Sequence, residues 1–167
     1  MTVLLDGFAV PPRTESDHAG GLADPATALI LRDLTEKVVD YESTNPDPTG
    51  TTPTEQDFAK VRLEISGPDG VRLGVTNGAG RMLYKQDNGS FLAYFGEEIT
   101  LDDGNVIRAG GLVDDSRLTA GEWASFPAVV VDGPLRGAIG YRTFRPLQKE
   151  THDTYESAIV LYRPSLP

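Results

Sequence analysis

From residue 58 onward the chain alternates apolar and polar side chains in short runs, each closed by turn-forming residues. "DFAKVRLEIS" sets Val61, Leu63 and Ile65 against Lys60, Arg62 and Glu64 and then meets "GPDG". A period of two followed by Pro, Asp and Gly predicts a strand and its hairpin turn. "VRLGVTNGAGRMLYK" continues with glycines that suit a bulge, "QDNGS" turns the chain into "FLAYFGEEITL", and "DDGN" opens "VIRAGGLV". "WASFPAVVV" follows the connection "DDSRLTAGE", and "LRGAIGYRTFRPL" and "TYESAIVLYRP" end the pattern. About eight short strands joined mainly by hairpins predict an all-β, eight-stranded antiparallel up-and-down barrel. Closure removes the exposed edges, and a barrel of that size fills with side chains or holds one small ligand.

The first quarter reads differently. Residues 1–26 carry Pro11, Pro12, Gly20 and Gly21 without any period and are expected to form an arm or lid, leaving 27–167 as the single barrel domain. "TALILRDLTEKVVDYES" begins like a helix, with Asp24 placed as a cap ahead of Pro25, and ends like a strand, so strand is expected for its second half. "TNPDPTGTTPTEQ", residues 44–56, has three prolines, five threonines and a glycine. Such a run predicts a long surface loop, a second candidate for a lid over the barrel mouth.

Charge narrows the partners. Twenty-five acidic residues against 15 basic ones give a formal net charge of −10, which repels both a phosphate backbone and an anionic membrane surface. Neither nucleic acid nor membrane is expected as a partner. The chain has no cysteine, so disulfides and thiolate metal sites are excluded. No stretch reaches the roughly 20 apolar residues of a membrane helix. The amino terminus lacks the basic start and apolar core of a secretory leader, so a soluble, cytoplasmic protein is the expectation.

The usual catalytic patterns are missing. His18 and His152 stand in polar segments without a partner at motif spacing, which reads as solvated histidine. "GAGRML" lacks the third glycine of a dinucleotide fingerprint. The acid pairs Glu97–Glu98, Asp102–Asp103 and Asp114–Asp115 read as solvated carboxylates at strand ends and turns. Neighbours in a strand point to opposite faces, so these pairs chelate poorly. Neither a metal nor a cofactor is expected. Asn88 and Gly89 of "NGS" read as a hairpin turn ahead of a glycosylation site. What remains are aromatic residues on the later strands and Arg142, which shares a strand face with Gly140 and Phe144.

Three stretches in order, "EEITLDDG", "WASFP" and "GYRTFR", resemble the spirotetronate and spirotetramate cyclases, natural [4+2] cyclases or Diels–Alderases with an allene oxide cyclase-like barrel. The likeness is clearest between about Lys60 and Leu147. It implies a homodimer of eight-stranded barrels, each folding a linear tetronate polyketide so that an intramolecular [4+2] cycloaddition forms a spirotetronate without a cofactor. Carried over position by position, Arg142 resembles the family's cavity arginine and Glu36 the glutamate paired with it. Phe144 resembles a lining aromatic that can be tryptophan, Phe126 and Phe95 positions that can be tyrosine, and Val61 a position near the mouth that can be phenylalanine. The lost hydroxyls and indole imply a less polar cavity. Two other readings of the residues stay open: a lipocalin-like carrier of a hydrophobic metabolite, and an allene-oxide-cyclase-like enzyme.

Overall fold

The computed structural model describes residues 27–45, 53–148 and 151–164. The arm of residues 1–26 with His18, the cap assigned to Asp24, and positions 46–52 of the proline-rich loop lie outside the described residues. Eight strands run β1 Ala28–Ser43, β2 Phe58–Ser66, β3 Arg72–Lys85, β4 Phe91–Leu101, β5 Val106–Asp114, β6 Ala124–Asp132, β7 Ile139–Pro146 and β8 Thr154–Tyr162. Each pairs antiparallel with its sequence neighbours, and β1 also pairs with β8, which closes the barrel. The strand order is the one the alternating runs predict.

Two elements depart from the sequence reading. The segment expected to begin as a helix is strand throughout. Its helix-like spacing, Leu31 to Leu34, comes from a register shift against β8 between those residues, where Asp33 takes a φ of 52°. Aspartate tolerates this left-handed conformation better than most residues. The bulge moves the core-facing set from Leu29 and Leu31 to Leu34 and Glu36, because one extra residue resets a period of two. In the connection "DDSRLTAGE", a short helix α1 forms at Asp115–Thr119, with the Asp114 side chain accepting from the Ser116 N–H. Asn88 and Gly89 lie in the β3–β4 turn, Gly89 with a φ of 88°.

The core is densest at the end of the barrel that holds the β2–β3, β4–β5 and β6–β7 turns. Ile65, Ile99, Leu101, Ile107, Val130, Ile159 and Leu161 are buried there. Leu135 and Ala138 plug that end from the β6–β7 connection, with the Leu135 N–H donating to the buried Asn105 Oδ1 at 2.9 Å. Toward the other end the inward side chains of Val38, Val61, Met82 and Phe95 are half-buried. There Asp57 gathers the described ends of the long loop, accepting from Asn45 Nδ2 at 2.7 Å and from the Thr54 N–H and Oγ1, each at 2.6 Å. Among the described residues no helix is long and apolar enough to cross a membrane.

Glycine is required where strands approach most closely. A Cβ on Gly140 would collide with the Val160 carbonyl of β8, a backbone atom with nowhere to move. Ile107→Ala, at a site with 0% exposure, should lower the unfolding free energy by about 2–5 kcal/mol in urea titrations. Gly140→Ala should destabilise by a comparable amount, whereas replacement at the open turn glycine Gly89 should cost less than about 2 kcal/mol.

Candidate functional site

Above the aliphatic end, the barrel interior carries a layer of ionisable groups supplied by strands that do not border one another. Alternation along β7 turns Arg142 and Phe144 inward, and Arg142 is buried. Its Nη2 donates to Glu36 Oε2 at 2.9 Å, and Thr76 Oγ1 of β3 donates to the same oxygen at 3.1 Å. Glu97 of β4 brings a second carboxylate, with Oε2 at 2.6 Å from Arg142 Nε. That contact is a close approach without an aligned hydrogen bond, since neither atom has a hydrogen-bond partner among the described residues. Arg142 Nη1, Glu36 Oε1 and Ser157 Oγ are likewise buried and unpartnered among the described residues.

One guanidinium cannot compensate two buried carboxylates equally. Burial pushes the Glu97 carboxyl up to about 7; Arg142 pulls it down, and the negative charge of Glu36 pushes it further up. The Tyr155 phenol is pushed up to about 12, chiefly by burial, with Tyr41, Glu36 and Glu97 adding and Arg142 opposing.

An aromatic wall flanks the layer. The Arg142 guanidinium lies over the Phe144 ring, 4.5 Å from its centroid, a cation–π contact. Phe126, paired with Arg142 across β6 and β7, meets Phe144 edge-on at 5.3 Å, and Tyr155 meets it at 6.2 Å. The rings have room because glycines face them: a Cβ on Gly80 would fall on the Phe95 ring, and one on Gly111 would sit 3.1 Å from Phe126 Cδ1. Val61 occupies the corresponding space beside Gly78.

The structure thus brings Arg142, Glu36, Phe126 and Phe144 into one contiguous cluster, with Phe95 and Val61 on β4 and β2 as separate parts of the inner wall. Tyr94 and Trp123 are exposed on the outside, as are Tyr41, Tyr84 and Tyr162; Trp123 precedes β6 and stacks beneath Arg145, 4.8 Å from ring to guanidinium. Thr143, which alternates with Arg142 and Phe144 along β7, is buried as well. The main correction concerns Glu97, which the sequence reading takes as solvated. It stands in the middle of β4 with the parity of Ala93, Phe95, Ile99 and Leu101, and that alternation was the signal that it faces inward. Thr76, Ser157 and Tyr155 also escape a motif-based reading, and their hydroxyls make the interior more polar than expected. Among the described residues no group of His, Asp and Glu is placed to hold a metal ion.

The folded value of Glu97, about 7, lies above the ordinary glutamate value of 4.5. Stability from this group is therefore fully present below the unfolded value and is lost as pH rises through the folded one. Glu97→Gln has no proton to lose, so it should gain on the wild type by up to roughly 3 kcal/mol between about pH 4 and about pH 8. Urea unfolding of both proteins across that range checks this; a constant difference would mean that Glu97 ionises normally in the fold.

Comparison with known proteins adds the following. Residues 37–161 match the family model described as allene oxide cyclase barrel like domain. Among solved structures, the barrel is similar to AbnU, described as an exo-specific intermolecular Diels–Alderase, at 26% identity and a TM-score of 0.72, covering 80% of this chain and 96% of that one. It is similar at 27% identity and a TM-score of 0.76 to a cyclase described as binding heme nonspecifically and catalysing [4+2] cycloaddition during neoabyssomicin biosynthesis, over 89% of this chain and 72% of that one. The Diels–Alderase AbmU from Streptomyces koyangensis is similar at 27% identity and a TM-score of 0.73, over 82% of this chain and 64% of that one. No curated protein matches the sequence. With three quarters of its length matched, the chain belongs to the allene oxide cyclase barrel-like family.

Proposed function

We propose that this protein is a cytoplasmic, cofactor-independent [4+2] cyclase that closes a linear tetronate polyketide by an intramolecular Diels–Alder reaction to a spirotetronate. The observation that carries the reading is the buried Arg142, whose Nη1 is unpartnered among the described residues and which stands beside the Phe126–Phe144–Tyr155 wall. The similarity to three proteins described as Diels–Alderases or as catalysing [4+2] cycloaddition supports the cycloaddition itself. A cycloaddition moves π electrons into two new carbon–carbon bonds, and neither proton nor electron leaves the molecule. The task of the protein is therefore to hold diene and dienophile about 3–3.5 Å apart in one orientation.

An apolar wall with a cation at one edge suits a ligand with an unsaturated chain and an oxygen-rich head. Arg142 Nη1 is the donor for a tetronate oxygen, and a cation there stabilises the negative charge that grows on the dienophile carbonyl in the transition state. Phe126 and Phe144 fix the chain near that head, with Phe95 and Val61 shaping the opposite wall.

We also propose a homodimer through the outer face of β4 to β7. Tyr94, Leu112, Val129 and Ile139 are exposed there, around a groove of about 410 Å³ lined by Tyr94, Gly96, Glu97, Arg108, Ala109, Gly110 and Pro127. Apolar side chains clustered on one sheet face need a cover, and a second copy of the same face supplies one.

With a linear tetronate bearing an exocyclic methylene and a terminal diene, the protein should raise the rate of cyclisation and give one stereoisomer. Recovery of unchanged ligand, or the isomer mixture formed in buffer, would sink the enzyme reading. Arg142→Gln should lower kcat/KM by about 10²-fold, but removing one partner of a buried pair also costs about 3–5 kcal/mol. The double variant Arg142→Met with Glu36→Gln removes both charges and should fold yet remain slow. For the dimer, Leu112→Glu should give a monomer by analytical ultracentrifugation, and a wild-type protein that sediments as a monomer at all concentrations would refute the interface.

A further inference from the structure

The buried layer holds one guanidinium and two carboxylates, and the carboxylates are not equivalent. Glu36 receives two donated hydrogen bonds, from Arg142 Nη2 and Thr76 Oγ1. Glu97 Oε2 touches Arg142 Nε without an aligned hydrogen bond. The side chains also differ in access: Glu36 is 0% exposed and Arg142 2%, while Glu97 keeps 6%. Glu36 is thus the built counter-ion of Arg142, and Glu97 is the member of the trio with surface still free. We propose that Glu97 works as a neutral carboxylic acid that donates a hydrogen bond to a carbonyl oxygen of the bound substrate beside Arg142, making it a second catalytic group of the layer. This rests on the cyclase reading given above.

The chemistry favours a neutral donor over a second ion. As electron density flows from diene to dienophile, negative charge grows on the dienophile carbonyl oxygen. A donor aimed there stabilises the transition state more than the ground state. No proton moves, because the O–H bond stays on Glu97 throughout and the two new carbon–carbon bonds account for all the shifting electrons. An ionised Glu97 would instead leave the layer with a net negative charge facing that oxygen. The ionisable groups that face Glu97 are Glu36 from β1, Arg142 from β7 and Tyr155 from β8. The inward residues of the remaining strands, including Leu63, Thr76, Ala109 and Phe126, do not ionise. Burial holds the proton on Glu97 up to about pH 7, so the donor is present in near-neutral solution and is lost above it.

Infrared spectroscopy of the whole protein reads the acid directly, and kinetics read its use. The wild type should show a buried carboxylic-acid C=O band at about pH 6 that fades toward about pH 8, that is missing in Glu97→Gln, and that shifts when an unreactive 3-acyl tetronate lacking the diene is added. With the reactive linear tetronate, kcat/KM of the wild type should fall about tenfold per pH unit above the Glu97 titration, while Glu97→Gln, which keeps an N–H donor, should be about tenfold slower below it and independent of pH. Absence of the band, a band unmoved by the tetronate probe, or the same pH profile in both proteins would overturn the proposal. If Glu97→Gln does not fold, titration of the wild-type band with and without the probe decides alone. A wild type that fails to cyclise the reactive tetronate while its band still shifts with the probe would count against the cyclase reading and leave Glu97 as a carbonyl-binding acid.

Discussion

The guanidinium inside this barrel is neutralised by strands that are not its neighbours. Arg142 stands on β7, between β6 and β8, yet its carboxylate contacts come from β1 and β4. Hydrogen bonding along the sheet cannot deliver that; only closure brings those strands round to face β7. The ion pair also makes closure specific, because a slip of one residue in β1, β4 or β7 would turn a charge out of the layer and leave another buried without compensation. Much else about the interior follows from it: Thr76 orients Glu36, Phe144 lies under the guanidinium, and Glu97 is left with less compensation than burial demands.

The two ends of the interior do different work. At one end branched aliphatic side chains pack with almost no exposure and supply the stability. At the other, glycines stand opposite the rings of Phe95 and Phe126, giving large flat groups room where a Cβ would intrude. The layer of charge thus stands between a packed aliphatic plug and a wall of aromatic rings.

How far the sequence revealed this depended on the range of the forces involved. Alternation in "KVRLEI" or "AVVVD" reports a local property, the two faces of a strand, and the hairpin turns report local backbone preferences, so strand order could be read directly. Alternation likewise set Arg142 and Phe144 on one face of their strand, but only the family resemblance marked that face as inward. The opening of β1 was not legible. A single bulge at Asp33 converted a period of two into an apparent period of three, and without the partner strand there is no way to see that the register had shifted. Glu97 was obscured by its neighbour Glu98: two adjacent acids read as a solvated pair, although alternation sends one inward and one outward.

The sequence by itself determined a chain of amphipathic strands and turns with one cation on a mixed strand face, because those patterns depend on contacts within a few residues. It also carried, as a family resemblance, the pairing of Arg142 with Glu36. Only the tertiary structure decided that Glu97 joins them, that Thr76 satisfies part of Glu36, and that burial raises the pKa of one carboxyl group. Those outcomes depend on distances between strands far apart in the chain and on the low dielectric of the closed interior, and neither exists until the barrel has formed.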